Sequence, residues 1–350
     1  MPTRETKPTL LSAGAGLVGA VAAESGARLG EGTDPVRARG YWEQVWIRFR
    51  RDRVAMASGI FIVFLILGAI FGGPIAAALL GHGPNDIFFS GVNNDLLPVG
   101  PWHHVQKPGG GTTLFILGAD GTLGRDEFLR LLYGTRVSLE VAVLSTIGVM
   151  SIGITMGLVA GYFRGWIDAI ISRIIEVTMA FPALLFIIAL AATIGDRLNN
   201  VTLGIFGKGV LTLVIVFTTF GWFFSARIVR SAVLSLREKE FVEAARMVGA
   251  SDARIMRSHV LPHLVAPIVV VSTLIVAQFI LAEAGLSFLG LGVKLPTASW
   301  GVLLAAAPDF YKTVPWLMLW PGLAVLFTTL AFNLFGDGLR DAFDPRATQR

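Results

Sequence analysis

Few side chains in this sequence are placed to do covalent chemistry. There is no cysteine, which excludes disulfide staples, thiolate metal sites and a cysteine nucleophile. The histidines are His82, His103, His104, His259 and His263, and none falls within an apolar run. A protease working inside a membrane needs its base beside a buried serine, so that class is disfavoured. His103 and His104 could bind a metal, but two adjacent imidazoles without a third ligand make a poor site, and no metal is assigned. Gly14-x-Gly16-x-x-Gly19 has the form of a dinucleotide fingerprint, with Asp34 near the offset of the expected acid. That pattern carries weight only between a strand and a helix. Thr9-Leu10-Leu11 is a poor strand and no βαβ unit follows, so a flexible tail is the better reading. Gly207-Lys208-Gly209 lacks the hydroxyl and the spacing of a phosphate-binding loop. No catalytic residue and no cofactor are therefore expected in this chain.

Two features remain. Glu283 stands within an apolar segment, where a central carboxylate costs about 2.5–3.5 kcal/mol on insertion scales and usually faces a bundle interior or cavity. It reads either as a pore or gate residue on a translocation path or as a structural hydrogen bond to a neighbouring helix. Glu140, Asp168, Arg173 and Glu176 lie near span boundaries and read as interfacial residues or helix-packing pairs. The second feature is the array Glu243-Ala244-Ala245, then Gly249, then Leu261-Pro262. Residues 241–248 make a good helix, with Ala244 and Ala245 on a side that can approach another backbone closely. Gly249 can supply the left-handed residue that ends it. Ser251 or Asp252 then caps a second helix, which Pro262 restricts or stops. The outline is helix–turn–helix, and an ordinary basic loop would not need that order.

The elements that hold these residues are apolar. Apolar types make up 54% of the 350 residues and DEKR only 15%, against about 45–50% and about 25% in ordinary globular proteins. The mean hydropathy of +0.68 is concentrated in six segments, at 54–80, 137–163, 169–194, 210–228, 265–289 and 314–335. Each is long enough to cross a hydrocarbon core, which takes roughly 20 residues, and Pro182 and Pro321 fall inside two of them. The net charge of +5 sits in short segments between the apolar runs, as in cytoplasmic loops of membrane proteins, and not in a patch suited to nucleic acid. Arg48, Arg50, Arg51 and Arg53 precede the first span, and Arg230, Arg237, Lys239, Arg246, Arg254 and Arg257 fill the fourth-to-fifth loop. The positive-inside rule puts that loop and both termini in the cytoplasm. The expected organisation is a cytoplasmic tail at 1–53, a first helix at 54–80 and an extracytoplasmic segment at 81–136. A permease core follows at 137–336, including the loop 231–263, with a cytoplasmic tail at 337–350. Arg4, Lys7 and the run ending Ala20-Val21-Ala22 imitate a cleavable leader, but the run is glycine-interrupted and weakly apolar. Within 81–112 Pro, Gly and Asn dominate, which is turn chemistry. From Gly124 to Tyr133, Phe128, Leu131 and Leu132 share one face against Arg125, Asp126 and Arg130, which predicts a short amphipathic helix lying at the outer surface and leading into the second span.

The spacing of Glu243-Ala244-Ala245, Gly249 and Leu261-Pro262 resembles the "EAA" loop in permease subunits of bacterial ABC importers, with His259 where an aliphatic residue is usual. Further segments are similar to the C-type subunit of dipeptide and oligopeptide permeases. They are Leu117-Gly-Ala-Asp120 with Gly124-Arg125-Asp126 and Arg130-Leu-Leu-Tyr133-Gly134-Thr135-Arg136, Glu283-Ala-Gly-Leu286-Ser287-Phe288-Leu289-Gly290, and Gly336-Asp337-Gly338-Leu339-Arg340-Asp341. The likeness covers about 45–346 apart from the longer outer insert at 81–112. It implies an all-α membrane protein of about six transmembrane helices with a cytoplasmic coupling helix, the ABC type I importer permease fold. It also implies a homologous second permease, two ATPase subunits that carry ATP and Mg, an extracytoplasmic substrate-binding protein and membrane lipid as partners. Glu243, Ala244, Ala245, Gly249, Leu261 and Pro262 would form the joint with the ATPase, a bonding acid and a tight turn suiting a rigid coupling element. The same branch imports nickel complexes and other small solutes. A secondary transporter acting alone would need ion-coupling groups near the midplane, for which Glu283 is the one candidate.

Overall fold

The computed structural model describes residues 40–107, 109–182, 185–190, 193 and 206–344. The tail patterns at 14–22, the end of the third expected span and the residues from 345 lie outside these. Contacts separate the chain up to Ile47 from a unit Arg48–Arg350. Helix α1, Tyr41–Arg51, crosses the boundary. It exposes Tyr41, Trp42 and Trp46 and carries Arg48, Arg50 and Arg51 in its last turn, a composition suited to a membrane interface.

Asp52 caps helix α2, Arg53–Leu80, its Oδ1 accepting from the backbone N–H groups of Val54 at 2.8 Å and Ala55 at 3.1 Å. The chain then forms strands β1, His103–Gln106, and β2, Thr112–Phe115, paired antiparallel with His103 opposite Phe115. Strands β3, Ala119–Asp120, and β4, Arg125–Asp126, make a second short pair. Phe88, Val105, Phe115 and Ala119 are buried together, so the glycine-rich insert has a small core of its own.

The helices that follow are α3, Glu127–Phe163; α4, Gly165–Ala180; α5, Val210–Leu236; α6, Glu240–Met247; α7, Asp252–Phe288; α8, Trp300–Ala306; and α9, Trp316–Phe343. Among the described residues, α2, α3, α5, α7 and α9 are long and apolar enough to cross a membrane. The third expected segment is divided. Helix α4 ends at Ala180, Phe181 is extended as residues before proline tend to be, and helix resumes at 185–190. Pro182 thus follows a helix end, whereas Pro321 lies inside α9.

Helices α3 and α5 make the most extensive helix pair. Gly153, Gly157 and Gly161 recur every four residues along α3, facing Ser225, Ala226 and Val233 of α5. A Cβ on Gly157 would lie 2.5 Å from the Ala226 carbonyl oxygen, so the two backbones meet as closely as small residues permit. Helix α9 packs on α7 and on α2, where Gly338 admits Ala55. Buried Ile62, Leu139, Ile280, Trp300 and Phe332 join α2, α3, α7, α8 and α9 into one core.

Several details differ from expectation. The helix expected near Gly124 to Tyr133 begins at Glu127 and is continuous with the span as the first turns of α3, and Asp126 caps it by accepting from the N–H groups of Phe128 and Leu129. Arg125 and Arg130 are buried and not turned to solvent, each paired with Asp120, while buried Asp126 pairs with His82. Of the two effects expected of Pro262, it restricts the helix begun at Asp252 and does not stop it. The ladder widens at Ile255–Val260 and tightens at Leu261–Leu264, so other hydrogen bonds replace the one proline cannot make, and α7 continues to Phe288. The last helix also runs to Phe343, through residues expected to be tail, and α8 arises within the fifth-to-sixth loop.

Candidate functional site

Helix α6 is amphipathic across a narrow waist. Val242 is fully buried and Ala245 partly so, packing with Tyr162, Val233, Ile255, Val260 and Leu264. On the other side Glu243 and Ala244 are exposed, and Met247 and Val248 are 83% and 89% exposed. Gly249 has φ +85°; its N–H donates to the Arg246 carbonyl at 2.9 Å, and that of Ala250 to the Ala245 carbonyl at 3.0 Å. This is a Schellman closure, which the left-handed residue makes possible. Leu261 is half-buried and Pro262 exposed in the tight turn leading into the rest of α7. Phe241 stacks on His263 with ring centroids 4.9 Å apart.

The loop is braced to the helices it interrupts. Tyr162, in the last turn of α3, donates its hydroxyl to Asp252 Oδ1 at 2.6 Å. Arg246 lies over the same ring, 5.4 Å from its centroid, and Arg237 donates to the Tyr162 carbonyl. Arg164 pairs with Glu238, and Arg230 of α5 clasps Asp168 of α4 through both carboxylate oxygens at 2.5 and 2.7 Å. Asp168 is therefore a packing partner, while Arg173 and Glu176 pair at the surface at 3.1 Å. Ser251 occupies the cap position before Asp252 without a side-chain cap bond, and the Asp252 carboxylate serves Tyr162 instead. The Tyr162 brace was not read from the sequence, since its partners lie far along the chain and carry no local pattern.

Glu283 is fully buried in α7. Ser138 of α3 and Ser287 of α7 each donate to it at 2.7 Å, one to each carboxylate oxygen. Ser138 Oγ in turn accepts from the Trp300 N–H at 3.3 Å, which ties α8 to the same knot. Of its two readings, the geometry favours the structural one. A polar residue missed in the sequence stands nearer to open space. Gln278 of α7 is exposed and lines a cavity of about 490 Å³ with Thr178, Phe181, Phe220, Phe224 and Phe279. An amide within an apolar run was the available signal.

The profile of the family described as binding-protein-dependent transport system inner membrane component matches residues 153–349. That of the N-terminal transmembrane domain of oligopeptide transport permease C matches residues 40–98. The dipeptide transport system permease protein DppC of Alkalihalophilus pseudofirmus is 37% identical over 305 residues, 87% of this chain and 90% of that protein. The glutathione transport system permease protein GsiD of Pectobacterium atrosepticum is 39% identical over 305 residues, 87% of this chain and 91% of that protein. GsiD of Escherichia coli O6:K15:H31 is 38% identical over 312 residues, 89% of this chain and 93% of that protein. Among solved structures, an inward-facing conformation of the MetNI methionine ABC transporter superposes with a TM-score of 0.50 at 19% identity, covering 62% of this chain and 97% of that one. The helical order around α3, α5, α7 and α9 is thus that of a type I importer permease. With the profile and relatives spanning the same helices, the chain belongs to the family of binding-protein-dependent transport inner-membrane components, as a multi-pass ABC importer permease subunit of the C type.

Proposed function

We propose that this subunit forms part of an ATP-driven importer that carries dipeptides or oligopeptides across the bacterial inner membrane. The exposed ridge of α6 carries this reading: Glu243, Ala244, Met247 and Val248 are turned away from the chain at the tip of a braced loop. A pair of near-fully exposed apolar side chains beside an acid suits a partner's cleft better than water. The occupant would be one of two ATPase subunits that bind ATP and Mg. A homologous permease would complete the path, and an extracytoplasmic binding protein would deliver cargo. Loop and termini would face the cytoplasm, following the Lys and Arg distribution. Closure of the ATPase dimer would press on 240–263, and the braces at Tyr162 and Asp168 would pass the movement to α3, α4 and α5. The chain itself would do no covalent chemistry. The names of the relatives favour peptides, glutathione included, over nickel complexes or another small solute. A secondary transporter is disfavoured because both oxygens of Glu283 are taken by serines.

The test is reconstitution with the encoded partners in vesicles. Uptake of labelled dipeptide should require ATP and co-purifying ATPase subunits. Uptake that persists with ATPase subunits disabled would sink the reading, and transport of a nickel complex but no peptide would shift the cargo.

A further inference from the structure

Three features meet at one depth in the membrane. The first is the break after α4, where Phe181 and Pro182 are not helical and the Phe181 N–H donates to the Thr178 carbonyl at 3.3 Å. From Asp168, which Arg230 clasps near the inner boundary, the helix rises roughly 20 Å to this break. The second is Gln278, which lies about the same distance along α7 from Leu264. In a hydrocarbon core of about 30 Å both are well inside. Non-helical backbone at such depth is tolerated only where protein buries it or where it lines a water-filled cavity. Phe181 is 57% exposed, so this chain does not bury it. Gln278 is exposed as well, and its amide makes no hydrogen bond with any described residue. An unpaired amide turned to lipid is costly, which argues against lipid as its neighbour.

The third feature is the cavity of about 490 Å³ that both residues line. Phe181, Phe220, Phe224 and Phe279 give it aromatic walls, and no ionisable side chain is among its lining residues. Arg227 touches the wall, with Nη1 3.7 Å from Met179 Sδ. The Thr178 hydroxyl donates to the Ile174 carbonyl at 2.8 Å, so Gln278 is the lining side chain whose donors and acceptor are all uncommitted. We propose that this cavity is a station on the cargo path, where Gln278 hydrogen-bonds a peptide bond of the passing peptide. The peptide identity rests on the function proposed above; the water-filled path rests on the break, the amide and the cavity. A primary amide pairs with a peptide unit in both directions, Nε2–H donating to the carbonyl and Oε1 accepting from the N–H. That contact reads what all peptides share and leaves their side chains to the aromatic walls, which pack by area. The volume falls within the range of small-molecule pockets and suits a short peptide.

The absence of cysteine permits a direct test. In the assembled transporter, Met179→Cys places a single thiol on the exposed wall of the cavity. Its modification by a small charged thiol reagent is timed without binding protein, with and without a non-hydrolysable ATP analogue. The thiol should react in at least one state, because water reaches it. Dialanine should slow the reaction. Alanyl-lactate, in which an ester oxygen replaces the peptide N–H, should protect roughly fivefold less well, the factor one neutral hydrogen bond carries. Gln278→Leu in the same background should erase the difference between the two, which a merely structural role for Gln278 would not do. Equal protection by dialanine and alanyl-lactate would overturn the contact even if the Gln278 variant fails to assemble. No protection by dialanine in a transporter that imports it would also overturn the contact and leave the proposed function standing. So would a thiol unreactive in every state of such a transporter, which would give this face to the second permease. A reactive thiol in a transporter that imports no peptide, protected by the solute it does import, would uphold the path and overturn both the peptide contact and the cargo.

Discussion

Gly249 has φ +85° and no atom within 4 Å of the place a Cβ would occupy, so its constraint is conformational and not spatial. A β-branched residue in that region is a severe misfit, and the left-handed conformation costs an ordinary residue roughly 1–2 kcal/mol. Gly249→Val should leave membrane abundance near normal while uptake falls severalfold, because the turn that aims α6 is lost. Gly249→Asn should be milder, since Asn tolerates this conformation best among the alternatives. Uptake, ATPase rate and subunit co-purification on one reconstituted sample check this, and full uptake by the valine variant would remove the loop from the coupling path. Glu243→Ala should weaken ATPase co-purification without lowering abundance, since the side chain is exposed. Tyr162→Phe deletes the bond to Asp252 but keeps the ring beneath Arg246. The part-exposed bond is worth about 1 kcal/mol, so ATP turnover should persist while peptide moved per ATP declines; an unchanged ratio would count against the brace. The positions differ in how far sequence discloses them. Gly249 is legible because a helix end is a local event, whereas Tyr162 meets Asp252 only after the chain has crossed and returned.

Helix α3 shows the same division at the level of elements. Its span is visible as an apolar run and its start as an amphipathic stretch leading into it, but the burial of Arg125 and Arg130 is not, since their charges resemble a surface helix until their partners are known. The four-residue recurrence of Gly153, Gly157 and Gly161 can be read along the sequence, yet nothing there names α5 as the helix it meets. This gives a matched comparison. Gly157→Ala adds one methyl group 2.5 Å from the Ala226 carbonyl oxygen, while Gly285→Ala in α7 meets no atom within 4 Å. Overpacking costs typically about 1–3 kcal/mol, so the first variant should melt several degrees lower in detergent and accumulate less. The second should match the parent. Equal melting temperatures would show that α3 and α5 are not held at this distance. Whether Pro262 restricts or stops its helix is undecided by sequence for a related reason. Its missing N–H ends an isolated α-helix, but a chain that widens and then tightens its ladder can pass the proline.

For the molecule as a whole, membrane class followed from the length of the apolar runs and the basic loops, and the permease fold from the resemblance carried by Glu243, Gly249, Leu261 and Pro262 and the segments that flank them. Neither depends on tertiary contact. The interior of the third segment and the folding of the outer insert did depend on it, and they were legible only in outline. Orientation is open to a direct check. Asn94 and Ser251 are both exposed, at opposite ends of α3 along the chain's path. Single cysteines there should react oppositely in intact spheroplasts, an impermeant thiol reagent labelling the one at 94 and sparing the one at 251. The reverse pattern would invert the topology. The uninterrupted course of α3 has a mechanical consequence. Its 37 residues make a rod about 55 Å long, with Arg130 in the first turn and Tyr162 in the last. A rod pivoting near its middle through about 5° swings each tip by roughly 2 Å in opposite senses. The buried Arg130–Asp120 pair and the Tyr162 joint of the 240–263 loop are then two ends of one see-saw, and a clamp placed on either would be felt as drag at the other.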